Sequence, residues 1–193
     1  MKKGENTKYA ILQAGLEMAC EFGLEDVTIG NLAKTTGMSK SGLFAHFQSK
    51  ENLQLEILKY AAFHFSQKVI VPSIKIQAGI PRIKAFVKNW IKWSSNLTGG
   101  CIFVSASSEF SDRPGNVRNL LLKQQEDWID SLKKTAKSAI KAGDFRKNID
   151  CDQFAFDLFS HLLGFHSYDV LLKHVDTKKR QITALDQLLK NYC

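Results

Sequence analysis

The residues best equipped for chemistry lie between positions 28 and 47: Thr-Ile-Gly-Asn-Leu-Ala-Lys-Thr-Thr-Gly-Met-Ser-Lys-Ser-Gly-Leu-Phe-Ala-His-Phe. Hydroxyls at Thr28, Ser39 and Ser41 and the ammonium of Lys40 suit phosphate oxygens and base edges. Residues 27–50 contain Lys34, Lys40 and Lys50 but no Asp or Glu; the acids Glu17, Glu21, Glu25 and Asp26 all precede them. A surface that meets a polyanion needs cations and donors, with carboxylates kept away. Total charge points the same way less directly. The chain has 27 Lys+Arg and 19 Asp+Glu, a net of +8, but residues 1–50 hold six Lys against five acids and so only +1. Placement of charge, more than its sum, marks this stretch.

The spacing makes geometric demands of its own. Two short helices joined steeply by a tight turn form a helix-turn-helix. Ala33 supplies the small residue for the close crossing, and Gly37, four residues on, supplies a turn position tolerant of positive φ. Leu32, Met38 and Leu43 anchor the pair from inside. Ser39 caps the second helix, whose N-terminal end is expected to face a DNA groove.

The elements around the motif read as helices. No proline occurs in the first 71 residues. Thr7 is expected to cap a first helix carrying Ile11, Leu12, Leu16, Ala19 and Phe22, stopped by Gly23. Thr28 starts the second helix, Ser39 the third, and Ser49 a fourth from Lys50 to roughly Gln67. Further helices are predicted over 82–95, over 116–142 ended by Gly143, from Asp150 or Asp152 to about 172, and from Thr177. The segment Cys101–Ala106 is rich in β-branched residues, yet no partner strand is visible, so a short buried helix is expected. The fold class is all-α, with one large or two small domains suggested by 193 residues.

Composition excludes several classes. Hydrophobic residues at 44% and charged residues at 24% fit a globular chain rather than a disordered one. Apolar runs fall far short of a membrane span, and the basic N-terminus leads into no apolar core of a signal peptide. A soluble, cytoplasmic protein with no membrane partner is expected. Cys20, Cys101, Cys151 and Cys193 are scattered without framework spacing and read as free thiols, the first three in or near cores. His161 and His166, five apart, do not share a helix face, so no metal site is expected. No nucleophile elbow, zinc-protease motif, phosphate loop or dinucleotide fingerprint is present, and neither an enzyme nor a cofactor is expected.

Residues 9–58 resemble the N-terminal domain of the TetR/AcrR family of bacterial transcriptional regulators. The resemblance rests on Ala14 through Phe22-Gly23, Thr28-Ile29, Leu32-Ala33, Gly37-Met38-Ser39-Lys40, Gly42-Leu43-Phe44, His46-Phe47 and Lys50-Glu51-Asn52-Leu53. It implies an all-helical homodimer with a three-helix DNA-binding domain and a larger C-terminal domain for ligand binding and dimerisation. The boundaries expected are 1–50 for the DNA-binding domain, 51–68 for a connecting helix and 69–193 for the rest. The function implied is a repressor that binds a palindromic operator in double-stranded DNA and is released by a small-molecule effector. Effector-independent DNA binding, as an architectural or cell-division factor, is the alternative, and an all-α enzyme is a more remote one.

The DNA-facing set is then Thr28, Ser39, Lys40, Ser41, Gly42, Phe44, His46 and Lys50. Thr28 and Lys50 sit at helix N-termini suited to phosphate. Ser39, Lys40 and Ser41 enter the major groove, and His46 contacts backbone or caps its own helix. Phe44 is a departure: the family usually has Tyr there, whose hydroxyl donates to a phosphate. Phe44 instead offers a ring to sugar or a thymine methyl.

Beyond the reader, residues 152–173 are apolar around nearly their whole circumference, which suggests a subunit interface on one side. Phe156, Phe159 and Leu163, with Leu185, Leu188 and Leu189 of the last helix, are expected at a two-fold four-helix bundle. Phe63, Phe86, Trp90, Trp93, Phe103, Phe110 and Trp128, with His64, Glu109 and Gln125 as polar groups, are the candidates for lining a largely apolar or aromatic effector's pocket.

Overall fold

The computed structural model describes residues 3–193, and among these every regular element is helical. The first is α1 (Lys3–Phe22), followed by α2 (Ile29–Thr36), α3 (Lys40–Phe47) and α4 (Lys50–Phe65). A π-helical turn over Ser66–Ile70 leads into the short α5 (Val71–Ile74). The widened turn comes just before Pro72, which has no N–H to continue an ordinary ladder. Then follow α6 (Ile80–Ser95), α7 (Ile102–Phe110), α8 (Asn116–Ala142), α9 (Cys151–Ser167) and α10 (Thr177–Lys190).

Most helix signals in the sequence operate as expected. Thr28, Ser39 and Asp150 cap α2, α3 and α9 with their side chains. Two details differ. Thr7 does not start α1, because the helix runs back to Lys3 and Thr7 lies within it. The helix predicted to reach residue 172 ends as an α-helix at Ser167 and gives way to a π turn over Tyr168–Leu172. The apolar segment after Gly100 is helical, as the lack of a partner strand required.

The chain divides into two compact units. One comprises residues 1–65 and 97–124, the other 66–96 and 125–193. In the first, Ile11, Leu24, Leu32, Leu43, Phe47, Leu53 and Ile57 form a core closed to solvent. Gly15 brings α1 close to α4: a β-carbon there would lie 2.7 Å from Ile57 Cδ1. Gly99 allows a still closer approach, since its β-carbon would stand 1.6 Å from the Cys20 carbonyl oxygen. In the second unit Ile83, Phe86, Trp90, Leu132, Phe154, Leu158 and Leu162 make the core. The rings of Phe145, Phe154 and Tyr192 meet at 5.0–5.7 Å and join α9 to the C-terminal end. Cys20 and Cys101 are buried thiols, Cys151 is half-buried and Cys193 exposed. No helix among the described residues is long and apolar enough to cross a membrane.

Candidate nucleic-acid interface

Local hydrogen bonds shape the two short helices. Thr28 Oγ1 accepts the Asn31 N–H at 3.0 Å, and Asn31 Nδ2 donates to the Asp26 carbonyl at 3.1 Å. These bonds fix the entry to α2. Gly37 ends α2 at φ 68° and ψ 12°, a left-handed conformation that a β-carbon would strain. Ser39 Oγ then accepts the Gly42 N–H at 3.1 Å and lies 3.2 Å from Ser41 Oγ. Leu32, Leu43 and Phe47 are fully buried beneath the pair. The corner into α4 is equally determined: Ser49 Oγ accepts the Asn52 N–H at 3.0 Å, and Asn52 Nδ2 donates to the Phe47 carbonyl at 2.9 Å.

What remains outward is a polar and cationic face. Lys34, Ser39, Lys40, Ser41, Phe44 and His46 are exposed, Phe44 at 56%. Ile29, Gly30, Lys40, Ser41, Phe44 and Ala45 line one shallow hollow. Lys40 runs over Gly30, where an added β-carbon would stand 3.8 Å from its Cε. Five of the eight expected DNA-facing residues sit at the N-terminal ends of α2 and α3, Thr28, Ser39, Lys40, Ser41 and Gly42, and Phe44, midway along α3, shares the hollow with Lys40 and Ser41. His46 lies further along α3. Each capping hydroxyl accepts a backbone N–H, and the Ser39 and Ser41 hydroxyls share one hydrogen bond between them, which leaves one of the two O–H protons for another acceptor.

Lys50 is engaged differently from the expectation. Its Nζ stands 2.7 Å from Glu25 Oε1, and Arg113 Nη1 lies 3.2 Å from the other oxygen, Oε2. The Lys50 hydrogen bond, with the nearby positive charges, holds the Glu25 carboxyl below the usual carboxylate range. Glu109, expected near an effector, instead accepts the backbone N–H groups of Leu24 at 3.1 Å and Glu25 at 2.8 Å. It acts as a cap on the loop between α1 and α2. No periodicity announces a bond between residues 85 positions apart.

The other expected effector residues separate by unit. Phe63, His64, Phe103 and Phe110 belong with Glu109 to the first, and Phe86, Trp90, Trp93, Gln125 and Trp128 to the second. Phe63 is 54% exposed, whereas Phe103 is buried with its ring 5.6 Å from that of Phe65. Phe86 and Trp128 meet at 5.9 Å and Trp90 and Phe165 at 6.4 Å, so these rings fill the second unit's core. A cavity of about 620 Å³ in that unit lies elsewhere, lined by His161, Phe165, Tyr168, Arg180, Gln181 and their neighbours, and it includes none of the ten. Of the expected interface residues, Phe156 is 65% exposed and Phe159, Leu163 and Leu188 are half-buried. Leu185 and Leu189 are buried within the protomer, which withdraws them from any outer surface.

Known proteins share both the reader and the rest of the chain. Residues 11–57 match the family described as bacterial regulatory proteins, tetR family. Residues 79–185 match the tetracyclin repressor-like C-terminal domain. The HTH-type transcriptional repressor DhaR of Mycobacterium sp. strain GP1 is 23% identical over 155 residues, covering 80% of this chain and 77% of that protein. A TetR transcriptional regulator from Chloroflexus aurantiacus superposes with a TM-score of 0.86 at 22% identity, over 98% of this chain and 96% of that one. AibR, solved with isovaleryl coenzyme A and operator DNA, superposes with a TM-score of 0.68 at 22% identity, over 82% and 84% of the two chains. With a helix-turn-helix built on the family's own spacing and a C-terminal match that alone spans more than half its length, this chain belongs to the TetR family of bacterial transcriptional regulators.

Proposed function

We propose that the protein is a repressor that binds a pseudo-palindromic operator as a homodimer and releases it when a small-molecule effector binds. The observation that carries the DNA-binding part is the acid-free face of α2 and α3, with Lys40, Ser41 and Phe44 exposed around one hollow. Ser39, Lys40, Ser41 and Gly42 approach base edges or phosphates in the major groove, while Thr28, His46 and Lys50 meet the backbone. Phe44 offers an apolar ring where a hydroxyl is usual. The DNA-binding domain is residues 1–50, continued by the helix over 51–68, with 69–193 given to ligand binding and dimerisation.

Two-fold pairing follows from groove geometry, because two reading helices must reach successive major grooves about 34–36 Å apart. Exposed Phe156, with Phe159, Leu163 and Leu188, supports an apolar pairing surface on α9 and α10. Effector release is supported by the C-terminal domain match and by AibR, which was solved with both an acyl coenzyme A and its operator. The protein works in the cytoplasm, catalyses no reaction and acts by shifting between conformations of different DNA affinity.

Footprinting the purified protein on DNA flanking its own gene, at two salt concentrations, tests this reading. A short pseudo-palindromic footprint that weakens at the higher salt is expected. Absence of protection at both concentrations, or scattered protection without a repeat, overturns it.

A further inference from the structure

Lys50 opens α4 at the corner where α3 ends, and the carboxylate it pairs with is held in place. The Glu25 N–H donates to Glu109 at 2.8 Å, the neighbouring Leu24 N–H donates to Glu109 at 3.1 Å, and Gln54 Nε2 donates to the Leu24 carbonyl at 2.9 Å. Three hydrogen bonds thus fix the backbone under a side chain that stays 43% exposed. The two carboxylate oxygens have different partners: Oε1 takes Lys50 at 2.7 Å and Oε2 takes Arg113 at 3.2 Å. Glu51 and Arg118 line the same hollow. To the Lys50 ammonium, Glu25 offers what a DNA phosphate offers: an anionic oxygen at hydrogen-bond distance.

We infer that Glu25 competes with DNA phosphate for Lys50 and so limits affinity, and that Arg113 relieves the competition by taking a share of the same carboxylate. The inference rests on the DNA-binding reading above. When Lys50 turns to a phosphate, Glu25 loses one partner, and Arg113 remains to neutralise it. Without Arg113 the same movement leaves the carboxylate with no cationic partner near the DNA backbone, only the Gln54 amide. Glu25 and Arg113 therefore act on binding with opposite signs, and Arg113 acts through Glu25. Arg113 sits on the turn between α7 and α8, so a shift of that turn changes the availability of Lys50 without touching the reading helix. Both side chains of the Lys50 pair are partly solvated, which keeps the effect small.

The test uses the full chain and a mixed-sequence DNA duplex, titrated from about 50 to 200 mM salt. Glu25→Gln is expected to tighten binding about two- to five-fold, and Arg113→Gln to weaken it about two-fold. Glu51→Gln reports the general effect of deleting one negative charge from the same hollow. In a Lys50→Gln background, Glu25→Gln is expected to tighten no more than Glu51→Gln does. In a Glu25→Gln background, the loss from Arg113→Gln is expected to shrink. Melting temperatures confirm that each variant folds, and Glu25→Ala replaces Glu25→Gln if the amide destabilises. Unchanged or weaker binding by a folded Glu25 variant overturns the inference, as do additive effects of Glu25 with Lys50. Failure of the unmodified protein to bind duplex at the lowest salt removes the DNA-binding reading itself, and this inference with it.

Discussion

The outward face of α2–α3 and the outward side of α9–α10 are exposed for opposite reasons. On α2–α3 the apolar residues Leu32, Leu43 and Phe47 are completely inside, and hydroxyls, ammoniums and the rings of Phe44 and His46 are left outside. Each capping hydroxyl there is set by a bond to a backbone N–H within three residues. On α9–α10 the inside is equally well filled, by Leu158, Leu162, Leu185 and Leu189, yet Phe156 and Ile182 also stand exposed at 65% and 58%. A face held by local caps needs no partner to be complete, whereas exposed large apolar groups beside a finished core ask to be covered. The first face suits the charged ligand proposed for it, and the second suits the apolar pairing proposed above.

Breaking the second face is expected to have the largest effect on binding. Phe156→Glu places a charge on the pairing surface proposed above, and Ile182→Glu does the same on α10. Sedimentation at micromolar concentration is expected to change from dimer to monomer. Operator affinity is expected to fall about 100-fold or more, because one protomer engages only one half-site. A dimer that survives both substitutions places the pairing surface elsewhere.

Gly99→Ala attacks the first unit from a distance. The added β-carbon meets the Cys20 carbonyl at 1.6 Å, a backbone atom with no rotamer to yield. Overpacking of this kind costs about 1–3 kcal/mol or more. Thermal unfolding is expected to move down by several degrees, with DNA binding regained on cooling. An unchanged melting temperature means that the loop before α7 moves freely away from α1.

The comparison also explains what was legible in the sequence. Thr28, Gly37 and Ser39 act within one turn of chain, so their spacing alone marks both helices and their ends. The residues expected to face DNA lie on these same two helices, so their placement on an exposed face follows from the same local signals. Glu109 on the Leu24 and Glu25 N–H groups, Lys50 on Glu25, and Gly99 on Cys20 join residues 25 to 85 positions apart and leave no period behind. The aromatic residues nominated for an effector illustrate the same limit. Their composition is that of a pocket, but Phe86, Trp90 and Trp128 spend their rings on one another and on the core. Leu185 and Leu189 likewise share a helix with exposed Ile182, and only the packing of α10 on α9 decides which of them face inward.

Within the reading face the expected effects are smaller. Lys40→Ala removes one exposed cation and is expected to weaken operator binding about three- to ten-fold, with the salt slope reduced by about 0.9 if Lys40 meets a phosphate. An unchanged affinity at physiological salt takes Lys40 out of the contact. Phe44→Tyr adds a hydroxyl to a ring already 56% exposed. It is expected to tighten binding about two- to five-fold through one charge-assisted hydrogen bond. If Phe44 instead packs on sugar or a thymine methyl, the substitution is neutral or weakening, and gel-shift titration distinguishes the two.

A last expected effect, on stability rather than on DNA affinity, separates the two units by pH. Burial lowers the affinity of His161 for protons from its ordinary value of 6.5, and it does the same for His166, where Asp169 opposes the shift in part. Gln181 Nε2 lies 3.4 Å from His161 Nε2, and the rings of Trp90 and His166 are 6.5 Å apart, so both imidazoles sit inside the second unit. Below pH 6.5 the unfolded chain takes up protons at these two positions more readily than the folded chain, and stability falls with pH. The first unit responds lower on the scale. Glu25 and Glu56, held below their ordinary 4.5 chiefly by lysine hydrogen bonds, contribute stability above that value that disappears as pH falls further. Denaturant melts between pH 7.5 and 5.5 are therefore expected to destabilise the second unit first, by up to about 1.4 kcal/mol per pH unit for each histidine while it titrates differentially. Replacing His161 with Asn is expected to flatten that slope. A slope identical in the variant means that the His161 proton affinity is the same folded and unfolded, and that this imidazole is wet.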